Sequence, residues 1–147
     1  MSDPLTAYLA TGRQLGYFLY LSFDNASFLN SLGLLRVQPK TAARLQREAQ
    51  RFWLVGIMFS VVSGVYSLRK LADKERAVVK TEAEGRLAGE KIVKDRKALK
   101  TQLLSDCADA VIPAAGLGWL GVDDGVVGLA GLVSSVIGLK AAWKKVA

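Results

Sequence analysis

Seventeen consecutive residues, Phe52 to Leu68, carry no charge, and an arginine stands at each end. As a helix this run rises about 26 Å, close to a hydrocarbon core of about 30 Å. Trp53 and Tyr66 lie near its two ends, where the amphipathic rings of a membrane span belong. A second uncharged run, Gly125 to Leu139, rises only about 22 Å. A snorkelling Lys140, followed by Ala141, Ala142 and Trp143, lengthens it into a span over residues 125–143. Two such runs restrict the chain to two solutions. They cross a bilayer, or they form the core of a soluble helical bundle.

The small residues separate these solutions. Gly56, Ser60 and Gly64 recur every four positions in the first run, and Ala130, Ser134, Gly138 and Ala142 do so in the second. In water, helices pack better through larger side chains, and each interior glycine costs about 1 kcal/mol relative to alanine. In lipid there is little hydrophobic drive for association, so close backbone approach must supply it. The two stripes therefore predict helix–helix packing within a bilayer, in one chain or between chains.

The remaining blocks carry the charge. Leu5 to Leu35 has helical texture with a polar-tipped stripe of Arg13, Tyr17, Tyr20 and Asp24 on one face. It reads either as an interfacial amphipathic helix or as an embedded helix whose stripe faces other helices. Residues 36–51 form a basic stretch in which Arg36, Lys40, Arg44, Arg47 and Arg51 recur every three or four residues. Beside an apolar run, such a face contacts anionic headgroups, as do Lys140, Lys144 and Lys145 in the tail. Residues 69–104 mix bases and acids and predict a long solvated connecting helix, with Gly85 and Gly89 as its weak points. Residues 105–124 read as a helix and turn. There Pro113 ends or kinks the helix, Asp106 and Asp109 share a face, and Asp123 and Asp124 open the next helix.

Catalysis finds little support. The 147 residues contain no histidine, one cysteine and no phosphate-binding glycine motif. No enzyme activity, metal or cofactor is expected. The net charge of +7 calls for an anionic partner. Nucleic acid is not expected, because acids interleave with the bases of residues 69–104 and no aromatic side chain there can stack.

The fold class expected is an all-α integral membrane bundle of about four to five helices in a single domain. It has two small-residue-rich spans and a long charged connecting helix. If only the two apolar runs cross, residues 1–51 and the tail share one side, and the positive-inside rule favours both ends in the cytosol. A third span through Leu15 to Phe23 would move the N-terminus across.

The C-terminal stretch LLSDCADAVIPAAGLGWLGVDDGVVGLAGLVSSVIGLKAAW, with YLSFDNASFL and FWLVGIMFSVVSGVYSLRKL, resembles the peroxin-eleven family of peroxisomal membrane-elongation proteins. The resemblance implies a peroxisomal membrane location with cytosolic termini. It also implies self-association, a role in elongation, proliferation and division of the organelle, and recruitment of a dynamin-type fission machinery. Members of this family usually carry N-terminal amphipathic helices that bend membranes, and the resemblance here begins after that region, so anchoring and self-association are expected ahead of bending. An alternative is an oligomeric pore for small metabolites, with Arg13, Tyr17, Tyr20 and Asp24 lining a wet path. A soluble helical adaptor is the remaining class.

Overall fold

The computed structural model describes residues 3–77 and 83–146. Four helices follow one another: α1 (Pro4–Ser31), α2 (Pro39–Ala77), α3 (Ala83–Gly116) and α4 (Asp124–Val146). The all-α expectation is met, with no strand among the described residues.

The helix ends follow from local chemistry. Asp3 caps α1 by accepting the Leu5 N–H at 3.2 Å, and Pro4 enters the first turn without an orphaned N–H. At the other end Gly33 takes φ +74°, which lets its N–H reach the Asn30 carbonyl and the Leu34 N–H reach that of Leu29. The same paired closure ends α3, where Gly118 at φ +73° bonds Ala115 and Trp119 bonds Ala114. Pro113 neither ends nor replaces this stop: it is fully buried, and α3 continues past it to Gly116. Asp123 opens α4, with the Val126 N–H on its carboxylate at 3.0 Å.

Packing is serial. α1 lies on α2, α2 on α3 and α3 on α4, and no other pair of these helices touches. α1 runs antiparallel to α2, from Asp3 beside Tyr66 and Lys70 to Phe23 stacked on Phe52. α3 runs antiparallel to α2 on its other flank, from Arg96 paired with Glu75 to Gly116 against Gln50. α4 then turns back along α3, with Gly131 opposite Ile112.

Three sequence-based expectations change. The basic stretch 36–51 and the apolar run 52–68 are not separate elements, because from Pro39 onward both lie in α2. Nothing in the sequence between Arg51 and Phe52 breaks a helix; only the polarity changes. The connector 69–104 is divided between the end of α2 and the start of α3, and includes residues 78–82, which lie outside the described residues. Gly85 and Gly89 do not interrupt α3. Finally, α3 brings the chain back to the Arg51 end before α4 begins. The basic groups Arg36–Arg51 and Lys140–Lys145 therefore lie at opposite ends of the array rather than on one side.

Candidate functional site

Two helices, α2 and α4, are long and apolar enough to cross a membrane, and only 17% and 6% of their apolar windows are buried inside the chain. The functional surfaces are therefore the contacts that hold α2 in place and the apolar faces left outside.

The stripe on α2 serves two neighbours. A Cβ on Gly56 would stand 3.0 Å from the Tyr17 ring of α1, whereas one on Gly64 would stand 2.7 Å from the Leu103 side chain of α3. Between them the buried Ser60 donates to Asp106 Oδ2 at 2.7 Å. The reason is the helix pitch. Steps of four residues advance a helix by about 40° beyond a full turn, so the stripe winds from α1 toward α3.

α1 answers with glycines that the sequence reading did not single out. A Cβ on Gly16 would lie 2.7 Å from the Gly56 amide nitrogen, and one on Gly12 would lie 2.6 Å from the Phe59 ring. The two helix backbones touch at Gly16 and Gly56. Gly12 and Gly16 are four apart, so the spacing that marked the other stripes was present here too.

On α4 the stripe drifts off its neighbour. Ser134 is buried and Ala130 half-buried, but Gly138 and Ala142 are exposed, and Gly138 has open space where a side chain would stand. Since α2 and α4 do not touch, the two stripes do not meet within the chain.

The polar stripe of α1 is largely turned inward. Arg13 is half-buried, and its Nε is enclosed without a hydrogen-bond partner. Tyr17 packs over Gly56, within the electrostatic reach of Arg13, Asp106 and Asp109. Tyr20 stacks on Trp53 at 5.2 Å, while Asp24 stays exposed. Asp106 itself is 4% exposed, with Gln102 Nε2 donating to its Oδ1 at 2.8 Å and Ser60 to its Oδ2. Ser60 stands at the middle of the charge-free run, so this carboxylate sits level with the centre of that run.

The basic side chains are elsewhere. Arg36 lies in the loop before α2, and Lys40, Arg44, Arg47 and Arg51 are exposed along the N-terminal part of that helix. Arg51 also pairs with Glu48 at 2.6 Å. Lys140, Lys144 and Lys145 are exposed at the far end of α4. At that same end, Tyr66 and Lys70 both bond the Asp3 carboxylate, and in that order they hold it below its ordinary range.

A family model described as peroxisomal biogenesis factor 11 (PEX11) matches residues 1–143. The chain belongs to that family. Among curated relatives, peroxisomal membrane protein PMP30A of Candida boidinii is 26% identical over 150 residues, covering 89% of this chain and 59% of that protein. PMP30B of the same organism is 25% identical over the same shares. Peroxisomal membrane protein PMP27 of Saccharomyces cerevisiae is 25% identical over 152 residues, 97% of this chain and 64% of that protein. The chain thus spans about three fifths of the length of these relatives. All three are named as membrane proteins, none as an enzyme, and the two span-length helices fit that description. No solved structure matches the chain.

Proposed function

We propose that this chain is a multi-pass peroxisomal membrane protein that promotes elongation, proliferation and division of the organelle. It would act without catalysis, by assembling copies of itself in the bilayer and presenting a surface to dynamin-type fission machinery. The observation that carries the reading is the state of α4. This helix is 6% buried over its apolar window, stands at the edge of the array and leaves Gly138 and Ala142 uncovered. A lipid-facing edge helix with an open small-residue stripe is suited to a second copy.

The orientation follows from charge. Arg69, Lys70, Lys74 and Arg76 gather with Lys91–Lys100 and Lys140–Lys145 at the end that holds Asp3. The positive-inside rule assigns that end, and with it both termini, to the cytosol. The pore reading gains no support from the polar stripe, since Tyr17 and Tyr20 pack on α2 and Arg13 is half-buried with its Nε enclosed.

Gly138→Leu combined with Ala142→Leu tests the assembly directly. Both positions are exposed, and Gly138 has open space beside it, so the chain itself stays folded while the mass of the detergent-solubilised oligomer falls. Unchanged mass, with unchanged peroxisome length and number on expression, would place the self-association elsewhere. Ser134→Leu serves as the contrast, because it disturbs the chain's own α3–α4 contact.

A further inference from the structure

A groove of about 520 Å³ runs along the face of α2 between α1 and the loop that joins α3 to α4. Its floor is Leu54, Val55, Met58 and Val62. Leu9 of α1, Phe59 of α2 and Trp119 of the α3–α4 loop complete the lining. Arg51 is the one charged residue in the lining.

The order of these residues along α2 gives the groove a direction. From Arg51 to Val62 the helix rises about 16 Å, half of a hydrocarbon core of about 30 Å. Arg51 sits where the charge-free run begins, and Val62 lies just past its middle. The groove therefore extends from headgroup level to mid-depth, the thickness of one leaflet. Its deep end is wholly apolar and its mouth is cationic.

We infer that this groove binds a single phospholipid with an anionic headgroup, one acyl chain lying along α2 and the phosphate against Arg51. The guanidinium has five N–H donors, and Glu48 engages only Nη1. The remaining donors suit phosphate oxygens. Trp119 is 68% exposed beside the mouth, where an indole belongs in a membrane interface. Arg47, Arg44 and Lys40 continue from Arg51 along the same helix and add to the positive charge around the mouth. A second copy of the chain fits less well. A helix with its side chains is at least about 10 Å across, so eleven residues of one would occupy more than about twice the volume of the groove. The inference rests on α2 crossing the bilayer, and not on self-assembly or on any fission partner.

The test is native mass spectrometry of the full chain in detergent, with phosphatidylserine or phosphatidylcholine added. The expected result is one retained phosphatidylserine per chain, at lower lipid concentration than phosphatidylcholine requires. Arg51→Gln should weaken phosphatidylserine retention about fivefold and erase the preference. Arg69→Gln, which removes the same charge at the other end of the run, should leave both unchanged. Met58→Trp fills the groove with an apolar side chain and should weaken retention of both lipids. Equal losses from Arg51→Gln and Arg69→Gln would reduce the effect to general surface charge and overturn the site. Retention unchanged by Met58→Trp, in a variant with wild-type helicity, would overturn it as well. A change in oligomer mass in place of lipid retention would assign the groove to a second copy. Resistance to alkaline carbonate extraction reports separately on whether the chain is membrane-embedded.

Discussion

Asp106 receives one donor on each oxygen, from Ser60 on α2 and from Gln102 one turn back on its own helix. In a bilayer crossed by α2, no water replaces a lost partner at this depth, so the Ser60 hydroxyl and the Asp106 carboxylate would depend on each other. Removing one member leaves a buried polar atom unmatched, which costs about 1–3 kcal/mol, whereas interhelical bonds in lipid average nearer about 0.6 kcal/mol. The bond joins a hydroxyl to a buried carboxylate, which argues for the upper part of the lipid range. Ser60→Ala and Asp106→Leu should each lower stability in mixed micelles. The double variant should fall short of the summed losses by about 1 kcal/mol. Strict additivity in that cycle would mean the pair does not hold α2 to α3. The sequence showed Asp106 and Asp109 on one face. It could not show that a serine forty-six residues earlier would be the partner, because no local pattern encodes a contact between helices.

At the level of elements, α2 is the spine, and the way the sequence divides into blocks hides this. Charge changes abruptly at Arg51 and Phe52, but the backbone does not respond to polarity. Helices α1 and α3 stop where a glycine at positive φ closes them, Gly33 and Gly118 respectively. The four-residue stripes were legible because spacing is local. Which neighbour each glycine meets was not, because the drift of about 40° per step turns one stripe toward two helices. Gly12 and Gly16 carry the same four-residue spacing, but the polar residues around them, Arg13 and Asp24 among them, mask a packing stripe in the sequence. The docking of α1 also has an ionic part, since Tyr66 and Lys70 both donate to the Asp3 carboxylate. Its folded-state pKa lies below the ordinary 3.8, so the stabilisation is complete above that value and is lost as pH falls through the lower, folded-state value. Acid titration of the detergent-solubilised chain should therefore loosen α1 from α2 below about pH 3.8. Asp3→Asn keeps the helix cap but should already lack that contribution at neutral pH and show no acid step. Near-UV circular dichroism reads this through the Tyr20–Trp53 stack. An identical acid step in the variant would assign the transition to other carboxylates.

The whole molecule turns on where α3 leaves the chain. Charge counting over two spans groups Arg36–Arg51 with Lys140–Lys145 and puts Asp124 opposite, because it treats everything between the apolar runs as one connector. In the folded chain the second half of α3 lies beside the α2 span, from Leu103 at Gly64 to Gly116 at Gln50. That half was hard to recognise as a partner for α2 because Asp106 and Asp109 lower its apolar character. Those carboxylates are tolerable there only because they face inward, with Asp106 bonded and Asp109 half-buried. Counting that half of α3 as a further traverse reverses the assignment of everything after it. With Cys107 replaced by serine, single cysteines introduced by Gln38→Cys, Asp124→Cys and Lys144→Cys report the outcome on intact peroxisomes treated with a membrane-impermeant maleimide. The folded arrangement predicts that the Gln38 and Asp124 variants behave alike and are protected, while the Lys144 variant is labelled from the cytosol. Two-span counting predicts instead that Gln38 and Lys144 behave alike, with Asp124 apart. Labelling that pairs Gln38 with Lys144 would mean that α3 does not return through the layer beside α2. The placement of Asp106 at mid-depth, and the energetic argument built on it, would then fall together.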